Sequence, residues 1–192
     1  MKIFLRFSAV LSLSLAVLLF EPKILFATIL SAFLHEIAHI VVIRLSGGQV
    51  YALEILSGGC VIRRSPDSTG FASDLAVFAA GPLANLMLWG IFFPFSGFFA
   101  PLSRVSLSLA VFNLLPIRSQ DGGRILKLLA CRFLPPAAAS LTAEIFSLLS
   151  LGVLWIFGIR MLLFYDFSCV YFWFCLGAFY VFYVKSTFGN GT

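Results

Sequence analysis

The feature that most constrains this chain is a series of apolar stretches of roughly 20 residues that recur along almost the whole sequence. A helix of that length can cross about 30 Å of hydrocarbon. The composition agrees, because 61% of the residues are hydrophobic, only 11% are charged, and 23 are Phe. The sequence therefore predicts a polytopic membrane protein rather than a water-soluble domain.

Six apolar segments are candidates for transmembrane helices, which predicts an all-α membrane protein with a single domain over residues 1–192. The first segment resembles a signal peptide but lacks a small-residue cleavage site, so we interpret it as a retained span. The second is expected to end at Gly47 and Gly48. The predicted spans are residues 3–20, 24–45, 71–93, 102–115, 137–157 and 161–184.

Residues 49–64, between the second and third predicted spans, alternate in polarity and contain Ser57-Gly58-Gly59 at their centre. This pattern favours a short re-entrant β-hairpin over a helix. One interpretation is that the hairpin edge pairs with an extended substrate strand. A purely structural hairpin is an equally good interpretation.

The 13 Lys and Arg residues, which with 8 Asp and Glu residues give a formal net charge of +5, are scattered singly or in pairs between the apolar segments. Nucleic-acid binding normally needs a clustered basic face, so we expect no nucleic-acid partner. With the N-terminus in the cytoplasm, ten basic residues lie inside and three outside, which obeys the positive-inside rule. The three outside are Lys23, Arg104 and Arg160.

The cysteines show no CxxC spacing, and most lie in or beside apolar segments, where a thiol behaves as a small hydrophobe. We therefore assign them neither to disulfides nor to a metal site. They are Cys60, Cys131, Cys169 and Cys175.

Both histidines of the chain fall in the segment His35-Glu36-Ile37-Ala38-His39 of the second predicted span. A helix places residues i and i+4 on one face, which is the spacing of two zinc ligands in an HExxH motif. Glu36 is then a candidate general base beside the metal. The alternative is a chance pattern, but ionisable groups within a span cost about 2.5 to 3.5 kcal/mol and are retained mainly when paired or functional.

A catalytic zinc site normally has three protein ligands, so two histidines leave it incomplete. Asp121 is the best-placed third ligand, because it follows the fourth predicted span on the expected cytoplasmic side. Gly122 and Gly123 come next and allow the backbone to approach another group closely. From the residues alone, a helix N-cap is an equally good interpretation of Asp121.

These motifs resemble those of the site-2 protease family of intramembrane metalloproteases. The family has HExxH on one span and an NxxPxxxxDG-type motif on a later one. Asn113, Pro116, Asp121 and Gly122 match the second motif at the family's spacing.

The segment AGPLANL at residues 80–86 also looks like the family's glycine-proline element. The resemblance therefore covers roughly residues 26–129, within an expected catalytic core of about residues 24–133. One departure is the polar segment at residues 118–120, where relatives often carry more apolar or proline-rich residues.

By this resemblance, His35, His39 and Asp121 bind a zinc ion and Glu36 is the catalytic base. Asn113 is expected to hold the substrate or the developing oxyanion. The alternative for Asn113 is a side-chain amide that hydrogen-bonds a neighbouring span.

The implied activity is that of a zinc metalloendopeptidase performing regulated proteolysis of a membrane-associated protein. Expected substrates are a membrane-tethered transcription factor precursor or an anti-sigma factor. The compact layout looks most like the subgroup that contains the bacterial sporulation protease acting on a sigma factor precursor. That likeness implies a bacterial cell membrane, an active site toward the cytoplasm and an inhibitory membrane partner.

Three other classes fit the sequence less well. A metal transporter usually needs coordinating groups through the membrane depth, whereas the two histidines here lie at one level. A non-catalytic membrane scaffold is disfavoured because every proposed catalytic position holds a competent residue. A serine protease is disfavoured because no histidine remains outside the HEIAH segment to serve as a base.

Overall fold

The computed structural model describes residues 2–56, 59–64, 70–97 and 99–164. They fall into two compact units, Met1–Leu114 and Leu115–Thr192. The helices are α1 (Phe7–Leu19), α2 (Pro22–Leu45), α3 (Phe71–Phe92), α4 (Phe99–Leu114), α5 (Asp121–Phe133) and α6 (Pro136–Phe164). The strands are β1 (Lys2–Leu5), β2 (Val50–Leu56) and β3 (Gly59–Arg64).

Helix α2 has clear start and stop signals. Pro22 occupies its first turn, where the missing N–H has no intrahelical partner to lose. At the other end, the Gly48 N–H donates to Ile43 O at 2.9 Å and the Gly47 N–H donates to Arg44 O at 3.0 Å. Gly47 has a φ of 81°, a left-handed conformation that glycine adopts without a Cβ clash. The prediction that the two glycines end this helix is confirmed.

In the first unit, α2, α3 and α4 pack against one another. Large apolar side chains on these helices face outward, and Leu45 and Met87 are 81% and 66% exposed. Part of the contact region is polar, because Ser31, Asn85 and Ser106 are fully buried. Small and hydrogen-bonding residues between helices with apolar exteriors are typical of membrane proteins.

Within the described residues, three helical segments are long and apolar enough to cross a membrane, namely Pro22–Leu45, Phe71–Phe92 and Pro136–Arg160. Helices α1 and α4 are also apolar, but they contain only 13 and 16 residues. At about 1.5 Å per residue they are shorter than a hydrocarbon core of about 30 Å. The predicted sixth span, residues 161–184, lies almost entirely outside the described residues, so six spans stay a prediction.

The prediction of one helix over residues 3–20 is wrong at its start. Lys2–Leu5 form β1, which pairs in parallel with β2. The strand is held by partners distant in sequence: the Arg6 N–H donates to Ile55 O at 3.0 Å, and the Arg6 guanidinium donates to Glu54 at 2.9 Å. The expected all-α fold with one hairpin is therefore corrected to a helical fold with a three-stranded sheet of order β1-β2-β3.

The hairpin predicted at residues 49–64 is confirmed, since β2 and β3 pair antiparallel with Leu53 opposite Ile62. Val50 at the start of β2 is buried in a cluster with Ile43 of α2 and Val77 of α3. The hairpin is thus packed onto the two helices that carry the polar residues. Among the described strands, none pairs with the outer edge of β3.

In the second unit, α5 packs against α6. Helix α5 is amphipathic. The break predicted between residues 157 and 161 is wrong, because α6 continues without interruption from Pro136 to Phe164. Gly158 within this segment costs about 1 kcal/mol relative to alanine, which weakens a helix without ending it.

Candidate metal centre

Helix α2 presents His35 and His39 on one face, as expected for residues four apart. Both are buried, with 6% of their surface exposed. Their Nε2 atoms lie 3.1 Å apart, and the planes of the two rings are 79° to one another. Two imidazole nitrogens therefore converge on one point inside the first unit.

The other ring nitrogen of His39 determines which of its atoms can bind a metal. His39 Nδ1 lies 2.7 Å from the carbonyl oxygen of Val77 in α3. A carbonyl oxygen only accepts hydrogen bonds, so Nδ1 carries the proton and donates it. In the neutral imidazole Nε2 then keeps a free lone pair, which is the tautomer that metal-binding histidines adopt when a carbonyl orients them.

His35 is oriented by a buried polar network that joins three helices. Its Nδ1 lies 3.1 Å from the side-chain amide nitrogen of Asn85 in α3. The Asn85 amide oxygen accepts from Ser31 Oγ at 3.3 Å, and Ser31 Oγ lies 2.9 Å from Ser106 Oγ in α4. These contacts hold the His35 ring from the side opposite to Nε2.

The Asn85 amide has two orientations that differ by a half turn, and hydrogen bonding decides between them. In the turned orientation, His35 Nδ1 donates to the amide oxygen and the amide nitrogen donates to Ser31 Oγ. His35 Nε2 then keeps its lone pair, as His39 Nε2 does. We expect this orientation when a metal is bound, since a metal ligand must offer a lone pair.

The histidine pair fits a metal ion. Two Zn–N bonds of about 2.0 to 2.1 Å at a tetrahedral angle hold their nitrogens about 3.3 Å apart. The observed Nε2 separation is 3.1 Å. In the turned Asn85 orientation both Nε2 lone pairs point at one position, and the two nitrogens repel each other unless a cation lies between them.

Gly81 in α3 explains how the two imidazoles fit between the helices. A Cβ built on Gly81 would lie 2.5 Å from both His35 Cε1 and His35 Nε2, and it would also collide with His39 Nε2. Real Cβ atoms essentially never approach other atoms so closely. The backbone of α3 therefore contacts the ligand nitrogens directly, which only glycine permits.

Glu36, next to His35, is half-buried. Burial, and then the negative charge of Glu36, raise the pKa of the Cys60 thiol in β3 to about 11. Cys60 is therefore a neutral thiol at neutral pH.

Asp121 lies in the second unit as the first residue of α5, and its surface is 5% exposed. Gln120 occupies the N-cap position, and no side-chain cap hydrogen bond forms there. The alternative of Asp121 as the N-cap is therefore not supported. An Arg124 guanidinium nitrogen lies 3.8 Å from Asp121 Oδ1. Gly123 brings the start of α5 against the Ile117 carbonyl, where a Cβ would collide.

Asn113 is half-buried near the end of α4, and its side-chain amide nitrogen donates to Leu109 O at 2.9 Å. This bond lies within its own helix, so it is neither the interhelical bond considered as an alternative nor evidence about a substrate. The role of Asn113 in substrate binding stays a prediction.

Sequence reasoning missed the residues that orient the histidines, namely Asn85, Ser31 and Ser106. Burying a polar side chain in an apolar span is unfavourable unless it is hydrogen-bonded. Polar residues within the apolar segments were therefore the sequence feature that could have indicated them. No sequence pattern indicates the role of the Val77 carbonyl, because every residue has a backbone carbonyl.

The sequence matches the Peptidase M50B-like family model over residues 8–119, which is 112 of its 192 residues. Among curated proteins, none matches it. Its structure is similar to that of the site-2 protease from Methanocaldococcus jannaschii, with a TM-score of 0.69 and 21% sequence identity over 96% of this chain and 90% of that chain. At that identity the likeness concerns the fold.

The family match and the long apolar helices make the protein an integral membrane protein. The family match also supports the chemistry expected from the histidine pair, because its members are metal-dependent peptidases. The chain therefore belongs to the Peptidase M50B-like family of metalloproteases and has the fold of a site-2 protease.

Proposed function

We propose that this protein is an intramembrane zinc metalloprotease in which His35, His39 and Asp121 bind the metal and Glu36 is the general base. The observation that carries the proposal is the 3.1 Å approach of the two buried Nε2 atoms, with each Nδ1 engaged by a partner. The membership in a metalloprotease family supports it.

The ligand set suits zinc. His35, His39 and Asp121 are all buried, and each offers one ligand atom. Two neutral imidazoles and one carboxylate match the three protein ligands of a catalytic zinc site, which leaves one position for water. A bound zinc ion would lower the pKa of water and polarise the scissile carbonyl.

The chain's own residues then perform the proton transfers. Glu36 accepts a proton from the attacking water and later donates it to the leaving amine nitrogen. Asn113 is proposed to donate an amide N–H to the substrate carbonyl, since its amide group has a second N–H besides the one donated to Leu109 O. Burial of the histidines excludes bulk water from one side of the reaction.

The proposed substrate is a membrane-associated protein, such as a tethered transcription factor precursor or an anti-sigma factor. The proposal includes a cytoplasmic N-terminus, an active site toward the cytoplasm of a bacterial cell, and control by an inhibitory membrane partner. The outer edge of β3, with which no described strand pairs, supports delivery of an extended substrate segment along the hairpin edge. In a more specific form of this proposal, the substrate is a sigma factor precursor that acts in sporulation.

Metal content of the detergent-purified protein tests the metal site. We expect about one zinc per chain in the wild type, none in His39→Ala and at least tenfold weaker zinc retention in Asp121→Ala. Glu144→Ala is the matched control, because it removes an exposed carboxylate from the same unit and should keep its zinc. Zinc retained by Asp121→Ala would mean that the third ligand is another residue. A folded wild type without metal would favour a non-catalytic scaffold.

Glu36→Gln separates catalysis from metal binding. The amide cannot accept a proton, so proteolysis of a co-expressed membrane substrate should fall by about 10² to 10⁴ while the zinc content is unchanged. Undiminished proteolysis would remove Glu36 from the mechanism. Movement of metal across vesicle membranes without proteolysis would favour a transporter.

A further inference from the structure

The second unit contains a cleft between the start of α5 and the first turns of α6, with a volume of about 210 Å³. Half of the residues that line it are cations. The lining residues are Arg118, Gly123, Arg124, Lys127, Ser140 and Ala143. None of them has a role in the proposed protease mechanism.

The positive charge of the cleft is only partly balanced. Arg118 donates to Glu144 Oε1 at 2.7 Å, and Arg124 lies 3.8 Å from Asp121 Oδ1. A guanidinium has five N–H donors, so each arginine keeps donors for a further acceptor. Lys127 is exposed, and within the described part of the chain it makes no hydrogen bond or ion pair. The cleft therefore attracts an anion.

The donors suit phosphate oxygens. Arginine presents a planar fork that binds two phosphate oxygens, and lysine adds a compact charge. The Ser140 hydroxyl adds a neutral donor in the same lining. The cleft is also smaller than the roughly 300 to 1,000 Å³ typical of pockets for drug-sized molecules, so it accommodates a small headgroup.

From the position of α5 next to a candidate span, we infer that this cleft lies at the membrane surface. The helix ends at Phe133, and α6, which contains a candidate span, begins at Pro136. On α5, Phe133 is 85% exposed and Leu129 is 40% exposed, whereas Arg124 and Lys127 lie on the opposite face. A short helix with one apolar and one basic face is typical of the boundary between lipid headgroups and acyl chains.

We propose that this basic cleft binds a phosphate group, supplied by the headgroup of an anionic phospholipid. The shared chemistry is a phosphate with at least one free negative oxygen, which free inorganic phosphate also offers. Lipid is the favoured source because the cleft adjoins the end of a membrane helix. Zwitterionic phosphatidylcholine should bind more weakly, since its choline opposes the cations.

The test is native mass spectrometry of the delipidated full chain in detergent, with equal amounts of phosphatidylglycerol or phosphatidylcholine added. We expect preferential retention of phosphatidylglycerol, reduced about fivefold in Lys127→Gln and in Arg118→Gln. Lys127→Arg should retain it, because the positive charge remains. Arg132→Gln is the matched control, since it removes a charge from the same helix outside the cleft.

A separate arm adds inorganic phosphate without lipid. If phosphate alone binds and Lys127→Gln abolishes that binding, the site is supported with free phosphate as its source. Equal retention of the two lipids together with no phosphate binding would overturn the proposal. Equal losses in Arg132→Gln and Lys127→Gln would also overturn it, because binding would then depend on the general charge of α5.

Discussion

Hydrogen bonds made by single residues decide which imidazole nitrogens of the histidine pair remain available. His39 is oriented by a backbone carbonyl, which substitutions at Val77 leave in place. His35 is oriented by a side chain, Asn85, which is fully buried and linked to Ser31. The metal site is therefore more sensitive to changes at Asn85 than at Val77.

Replacing Asn85 tests the orientation of its amide. Asn85→Asp keeps an oxygen that can accept from His35 Nδ1, so we expect zinc binding to be largely retained. Asn85→Leu removes the acceptor and should weaken zinc affinity by about 10- to 100-fold, as measured by competition with a chelator. Equal affinity in the leucine variant and the wild type would show that Asn85 does not orient His35.

Gly81→Ala tests the close approach of α3 to the two histidines. The added Cβ collides with both imidazoles, so we expect loss of zinc and of proteolysis, and a cost in stability of about 1 to 3 kcal/mol. Gly90→Ala is the control on the same helix, because a Cβ there meets nothing within 4 Å. Zinc content and thermal unfolding of both variants are the measurements. Full zinc in Gly81→Ala would contradict the described packing.

Among the elements, the small sheet joins the N-terminus to the site. Glu54 in β2 accepts from Arg6, the residue after β1, at 2.9 Å and from Arg63 of β3 at 2.6 Å, so one carboxylate links the end of β1 to the hairpin. Hydrogen bonds from Arg6 and then Arg63 hold the pKa of Glu54 below its ordinary value of 4.5. The ionised form is thus favoured in the folded sheet.

The pH dependence of the sheet follows from that direction. A carboxylate with a lowered folded pKa stabilises the fold above pH 4.5, and the contribution is lost as the pH falls through the folded pKa. We expect amide protection in β1 and β2, corrected for intrinsic exchange, to decrease in acid. Glu54→Gln should have low protection at all pH values, whereas Glu144→Gln should behave like the wild type. Protection in the wild type that is independent of pH would contradict this role.

For the whole molecule, the orientation in the membrane determines which compartment supplies substrates. The outward-facing apolar side chains and the buried polar residues agree with a surrounding of lipid. The excess of basic residues on one side predicts a cytoplasmic N-terminus. Helix α2 offers the clearest test, since Lys23 and Arg44 lie near its opposite ends.

We expect a membrane-impermeant maleimide to label Lys23→Cys in intact cells and to label Arg44→Cys only after permeabilisation. Both variants are made in a chain whose four cysteines are replaced by serine. The two residues are separated by about 30 Å along the helix, enough to place them on opposite sides. Inverted labelling would reverse the topology, and labelling of both in intact cells would contradict a spanning α2.

Much of this organisation could be predicted from local sequence. Apolar stretches indicated the helices, the two glycines after Leu45 indicated the end of α2, and the alternation at residues 49–64 indicated the hairpin. The spacing of His35 and His39 was enough to place both imidazoles on one helix face. Each of these features depends on neighbours within a few residues, which a sequence displays directly.

Other features depended on contacts between distant segments. Lys2–Leu5 is apolar enough to continue a helix, but pairing with β2 and the Arg6–Glu54 ion pair make it a strand. Asn85 and Gly81 matter because α3 packs against the histidines of α2. Such contacts between distant segments leave no periodic pattern in the sequence. The sequence by itself therefore determined a membrane protein with a histidine pair, whereas the tertiary structure decided how those histidines are oriented, because their hydrogen-bond partners lie on another helix.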